Sequence, residues 1–214
     1  MDPWPLRHLV LRTPRLELRP DDDAGLRELV AEAQHGVHAP EEMPFFSAWT
    51  DAPPAELGGN MMRFYWSTRA AFAVEDWTIN FLVRSDGTVI GTQGLTARHF
   101  ALTREVHTGS WVGLRHQGQG FGTEMRAAVL TFAFDHLGAT QARSEAWVGN
   151  RRSRGVSRRL GYREDGTRSV VVRDQATTHV RLLLDHADFQ RPDWKLDVSG
   201  ADDCLPMLLG EQPG

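Results

Sequence analysis

Residues 110–134 read "SWVGLRHQGQGFGTEMRAAVLTFAF": an apolar run ends in three glycines, and a long helical pattern starts directly after them. No other stretch limits the fold as strongly. Gly118, Gly120 and Gly122 alternate, and Phe121, Met125, Val129, Phe132 and Leu137 then recur at three to five residues, the spacing of one helix face. Without Cβ atoms the backbone can take positive φ and come close to a ligand, while the first amides of the helix have no internal partners. Those amides, at the positive end of the helix dipole, suit a phosphate or pyrophosphate. Each exposed charge–dipole contact contributes only about 0.3–1 kcal/mol, so several must act together. The spacing is G-x-G-x-G rather than the G-x-G-x-x-G of a dinucleotide fold, and no Lys-Ser/Thr pair follows. On the glycines alone, a turn tightened for packing fits as well as an anion site.

Around this unit, strands and helices interleave, which points to an α/β or α+β layer. "HLVLRTPRLELRP" (8–20) alternates apolar and polar residues and reads as one extended segment bent at Pro14, followed by a helix over 21–35 with aspartates at its start. Residues 36–60 hold four prolines and an aromatic cluster and read as a long structured loop, of the kind that often carries function. A helix over 61–72 and a hairpin over 77–97 turning at Asp86-Gly87 come next. The remaining pattern predicts a strand at 105–114, a helix at 120–137, a strand at 141–148, a helix at 151–160 and a second hairpin at 166–186. Residues 1–190 are expected to form the domain, with 191–214 as a polar, Pro-containing tail wrapped on it.

Whole-chain numbers exclude several classes of function. With 214 residues the chain has the length of one domain with a substantial core. A net charge of -4 gives no basic footprint for nucleic acid, and no apolar run approaches the roughly 20 residues that span a bilayer. The N-terminus interleaves charges and prolines with its apolar residues, unlike a secretory signal, so a soluble cytoplasmic protein is expected. Cys204 is the one cysteine, which excludes an intrachain disulfide and a cysteine-based zinc cluster; it reads as a small buried group, and no metal site is expected.

The neighbours of the glycines carry a resemblance. "RHQGQGFGTE" resembles the acyl-CoA-binding signature of the GNAT acyltransferase superfamily through Gln117, Gly120 and Gly122. "TGSWVGL" resembles that family's central splayed strand, "NRRSRGVSRRLGY" its Asn-x-x-Ser helix, and "LRTPRLELRP" the opening strand of the branch that includes the ribosomal-protein alanine acetyltransferases. The resemblance implies a mixed, mostly antiparallel sheet that splays open to hold acyl-CoA, flanked by helices. Pantetheine is then expected on the backbone of Trp111, Val112 and Leu114, and pyrophosphate on the turn formed by Gln117, Gly118, Gln119, Gly120, Phe121, Gly122 and Thr123. Gln117 stands where the family also uses Arg, which removes a charge that Arg151, Arg152, Arg154, Arg158 and Arg159 are available to replace. A solvated helix face explains that basic run equally well.

In this family an amine attacks the thioester directly, so the amine must lose a proton, the oxyanion must be stabilised and the leaving thiolate protonated. His107 stands at the strand position where relatives often carry a base glutamate, although a surface histidine fits too, and Glu105 or Glu145 acting through water is an alternative. Asn150 is expected to cap its helix while touching pantetheine. Ser153 is the first choice to protonate the thiolate, and Ser157, one helical turn on, the second. Phe45, Phe46, Trp49, Phe64 and Trp66 are expected either to shape the site of a small-molecule or peptide amine, to pack in the core, or to serve a homodimer interface. Acetyl-CoA and succinyl-CoA both remain open as donors. Rival readings are an acyl-CoA-binding module without turnover and an interaction protein that kept only the fold.

Overall fold

The N-terminal extended segment reverses completely. In the computed structural model, which describes residues 2–210, Val10–Arg12 (β1) and Glu17–Pro20 (β2) pair antiparallel, Leu11 opposite Leu18, around the turn at Pro14. Helix α1 (Asp23–Gln34) follows, capped by Asp22, whose carboxylate accepts from the Gly25 amide at 2.8 Å. Helix α2 (Pro54–Ala70) starts with proline in its first turn and takes in seven residues expected as loop. It extends that far because Leu57, Met61 and Tyr65, spaced four apart, bury one stripe, and because Gly58 lets the helix approach Val30 of α1, within 3.0 Å of an ideal Cβ.

Strands β3 (Asp76–Ser85) and β4 (Thr88–Arg98) form the expected hairpin, with Asp86 and Gly87 both at positive φ as a tight primed turn requires. A short helix α3 (Phe100–Thr103) leads to β5 (Glu105–Val112), then α4 (Phe121–Asp135), β6 (Gln141–Trp147) and α5 (Arg151–Arg159). Strands β7 (Arg163–Val172) and β8 (Gln175–Asp185) make the second hairpin. The stretch from Arg191 adds β9 (Asp197–Ser199), paired with β1, and α6 (Ala201–Leu209).

The nine strands form one sheet in the order β7-β8-β6-β5-β4-β3-β2-β1-β9, antiparallel throughout except for β5 beside β6. One face packs α4 and α6 over the larger core, built around Trp77, Phe81, Phe100 and Phe132. The other carries α1 and α2 over a smaller one that includes Leu26, Leu29, Met61 and Tyr65. The last helix belongs to the larger core: Cys204 and Leu208 have no exposed surface, and the Trp77 Nε1 donates to the Leu208 carbonyl at 3.1 Å. Ala201, Cys204 and Leu208 recur at helical spacing, a signal masked in the sequence by Asp202, Asp203 and Pro206.

Truncating Leu208 to Ala should cost about 2–5 kcal/mol. Urea unfolding should still show one transition, since the tail helix and the sheet share a core. Asp21, 9% exposed between β2 and α1, lies 3.0 Å from Arg69, yet burial outweighs the ion pair and pushes its carboxyl up to about 6. The unfolded value is about 3.9, so the native state takes up the proton, and this group's contribution to stability is lost as pH rises through about 6. Asp21→Asn should abolish that fall: its urea midpoint relative to the parent should be higher at neutral pH than near pH 4.

Candidate active site

Pairing between β5 and β6 runs from Glu105 opposite Gln141 to Thr108 opposite Ser144 and then stops. Beyond that point β5 continues to Val112 bonded only to β4, and β6 to Trp147 bonded only to β8. A notch therefore opens between two strands whose facing edges meet no neighbouring strand over 109–112 and 145–147, although the Val112 carbonyl accepts from the Gln117 side chain. Its apex is tied by side chains: the Ser144 hydroxyl donates to the Thr108 carbonyl at 3.0 Å, and Thr108 Oγ1 lies 3.2 Å from the Tyr162 hydroxyl.

The glycine turn stands at the mouth of this notch. Gly118 and Gly120 take φ of 79° and 88°, a region that disfavours any Cβ-bearing residue, and Gly120 is the N-cap of α4. Gly122 lies inside the helix with ordinary φ. Among the described residues, the amides of Gly118, Gln119, Gly120, Phe121 and Gly122 donate to no backbone carbonyl, whereas that of Thr123 donates to the Gly120 carbonyl at 3.0 Å. Gln117 acts as a clasp: its Nε2 donates to the Val37 and Val112 carbonyls at 2.7 and 2.8 Å, and its Oε1 accepts from Arg152 at 2.7 Å. Arg152, from the basic run of α5, thus brings a cation to the turn. Arg15, between β1 and β2, brings another; it donates to the Gln119 carbonyl at 2.9 Å and stacks on Phe121, while Glu124 neutralises it.

The expected chemical groups divide between the two faces of the sheet. Strand alternation buries Val106 and Thr108 on the α4 side and sends His107 to the opposite side, 54% exposed at its side chain and 3.3 Å from Glu105. Glu105 is held by Arg143 at 2.6 Å, and Glu145, on that same side, by Arg168 at 2.8 Å. On the α4 side Asn150 caps α5, its side chain accepting from the Ser153 amide at 3.0 Å. Ser153 is half-buried; Ser157 is fully buried, donates to the Ser153 carbonyl and accepts from Arg126 at 2.8 Å. Of the backbone expected to meet pantetheine, the Leu114 amide already donates to the Gly36 carbonyl at 2.9 Å, and Trp111 sends its ring against Trp49.

The 36–53 stretch crosses the side where His107 points. Phe46 stacks on His179 of β8 at 4.5 Å, and Asp51 receives two bonds of 2.7 Å from Arg173 at the tip of the β7–β8 hairpin. Burial holds the His179 imidazole below its ordinary range, and neither ring nitrogen has a partner among the described residues. This strap therefore links α1 and α2 to the far side of the sheet.

A splayed parallel pair, an open strand edge and a glycine turn at a helix start also describe a known family. The model of the acetyltransferase (GNAT) domain matches residues 15–163, well over half of the chain. The chain belongs to the GNAT acetyltransferase family. The Bacillus subtilis protein YdaF, a candidate ribosomal N-acetyltransferase, is 32% identical over 65 residues; that match spans 30% of this chain and 36% of YdaF. Two solved structures share the fold at low identity. Mycobacterium smegmatis RimJ, in complex with CoA-disulfide, superposes with a TM-score of 0.69 at 19% identity, covering 94% of this chain and 95% of its own. A chimera of the spermidine N-acetyltransferase SpeG, from Vibrio cholerae, gives 0.63 at 17% identity, covering 81% and 96%.

Arg126, Arg15, Arg173 and His179 are site features that sequence reasoning missed. Arg126 carried one signal, the single basic residue of α4; the others depend on contacts made across more than 100 residues or on burial. The two glycines flanking Phe121 should respond oppositely to alanine. Gly120→Ala forces a side chain into positive φ, should cost about 1–2 kcal/mol and should weaken anion binding at the turn. Gly122→Ala adds a methyl 3.8 Å from Val156 within a helix and should leave stability equal or up to about 1 kcal/mol higher in thermal melts.

Proposed function

We propose that the chain is an acyl-CoA-dependent N-acyltransferase in which a primary amine attacks the thioester carbonyl directly. The observation that carries this reading is the edge of β5 over 109–112 that no strand covers, running into a turn whose five amides lack acceptors among the described residues. Pantetheine adds to the Trp111 and Val112 backbone as an extra strand. Its pyrophosphate takes the free amides between Gly118 and Gly122, with Arg152 supplying the charge that Gln117 lacks.

Donor and acceptor approach from opposite faces and meet in the notch. The amine enters beneath the strap and gives its proton to His107, directly or through water; Glu145, already paired with Arg168, is the weaker candidate. Backbone amides beside the apex stabilise the oxyanion, and Ser153, with Ser157 behind it, returns a proton to the sulfur. An acetyl donor is the simplest assignment, with a succinyl donor as the alternative. The acceptor is a small-molecule or peptide amine, as the names of YdaF and of the spermidine enzyme suggest. The exposed Phe64 and Trp66 of α2 suit a homodimer contact, and a cytoplasmic setting fits the acyl-CoA supply.

Acetyl-CoA at a hundred times its Kd should stabilise the fold by about 2.7 kcal/mol in thermal-shift measurements. Release of free CoA thiol on adding peptides or polyamines should then follow, and His107→Gln should lower kcat by about 10²–10⁴-fold. No shift with any acyl-CoA sinks the proposal; a shift without thiol release from any amine leaves the module without turnover as the correct reading.

A further inference from the structure

Among the described residues, buried charges come in pairs, with one exception. Asp21, Glu32 and Glu124 are at most 9% exposed, and each has an arginine beside it: Arg69, Arg115 and Arg15. Arg126, 4% exposed on α4, has no carboxylate within 4.0 Å among the described residues. Its Nη1 donates to the Ser157 hydroxyl of α5 at 2.8 Å and its Nη2 to the Ser110 hydroxyl of β5 at 3.3 Å, while its Nε has no partner. Gln93, opposite Ser110 on β4, likewise has a buried Oε1 without a partner. The other ionisable group facing the guanidinium is the Tyr162 phenol, which burial pushes up and which Thr108 engages, so it stays neutral and offers no counter-charge.

Burying an unpaired cation costs several kcal/mol, and a guanidinium does not escape the cost by losing its proton. The residues around it are Ser110, on the stretch of β5 that β6 leaves uncovered and so beside the notch, and Ser157, fully buried on α5. An anion arriving in the notch is the missing partner.

Resting on the acyl-CoA reading above, we infer that Arg126 is the site for the sulfur anion released by the reaction. The amine nitrogen forms its bond to the acyl carbon, the tetrahedral adduct collapses, and the C–S bond breaks with its electron pair going to sulfur. Arg126, with the Ser110 hydroxyl it orients, stabilises that thiolate until the proton given up by the amine reaches it. The guanidinium also fixes Ser157 with its hydroxyl proton on the Ser153 carbonyl.

The test is the thiol titration of CoA bound to the full-length protein, read by the ultraviolet absorbance of the thiolate. In the parent the bound thiol should titrate about 1 to 3 pH units below free CoA, and in Arg126→Met it should return to the free value or above. Arg126→Met removes an unpaired buried charge, so its melting temperature without ligand should equal or exceed the parent's. Should that variant fail to fold, Arg126→Lys, which keeps the charge but loses the fork, should move the titration part of the way. In turnover, kcat should fall about 10-fold or more with KM for acetyl-CoA little changed, and CoA lacking its sulfur should bind parent and variant alike. Equal titration in parent and variant overturns the inference. So does weaker binding of sulfur-free CoA by the variant, which would assign Arg126 to the phosphates, or a preference for carboxylated acyl chains that vanishes with Arg126 while the titration stays put. Failure of the parent to bind CoA overturns this inference together with the acyl-CoA reading, a result distinct from all of these.

Discussion

Everything functional in this molecule depends on two parallel strands parting company. A parallel neighbour cannot be reached by a tight turn, so the chain must cross over between β5 and β6, and α4 is that crossover. Because the ladder ends at Thr108 and Ser144, the crossover helix starts beside an unpaired strand edge rather than above a closed sheet. Four antiparallel strands on one side and β9 beyond them, with the β7–β8 hairpin on the other, make both halves stiff enough to stay apart. The large core lies beneath α4, and the gap frames the candidate site.

Polar groups in the notch follow from this geometry. Buried hydrogen-bonding groups normally find partners, and most here do. Among the described residues, two buried side-chain atoms without a partner, Arg126 Nε and Gln93 Oε1, lie beside the splay, and others, such as Asn80 Nδ2 and Thr131 Oγ1, lie elsewhere; the glycine turn, whose amides are free, is exposed at Gly118, Gln119 and Gly120. His179, under the strap, is the corresponding case on the opposite face.

The sequence carried the local parts of this arrangement well. The strand expected at 105–114, the helix at 120–137 and the Asp86-Gly87 turn rest on neighbouring residues; the strand formed over 105–112, the helix over 121–135 and the turn in place. Family motifs supplied the splay itself, which periodicity could not have indicated. Two stretches gained structure that their patterns did not indicate: α2 begins at Pro54 because packing on α1 overrides two glycines, and the tail expected to wrap the domain also forms β9 and α6, because three buried positions outweigh its acidic residues and Pro206. In the candidate site the positive-φ glycines and the Asn150 cap were legible, whereas Gln117, expected to offer its amide, donates that amide to the Leu114 carbonyl at 3.3 Å and acts through its side chain. Arg15, Arg126, Arg173 and His179 were not legible, since what distinguishes each is a partner, or the lack of one, set by tertiary structure.

The glycine turn and the buried guanidinium sit on one rigid rod. Gly120 and Arg126 are six residues apart, about 9 Å along the axis at ~1.5 Å per residue. Helix α4 is thus a ruler whose graduations are peptide units: it fixes how far a ligand held by its phosphates must reach before another part of it meets a positive charge. Side-chain changes on its surface leave that interval intact. An added or deleted residue in its first two turns would not, since each swings the arginine by about 100° around the axis as well as shifting it.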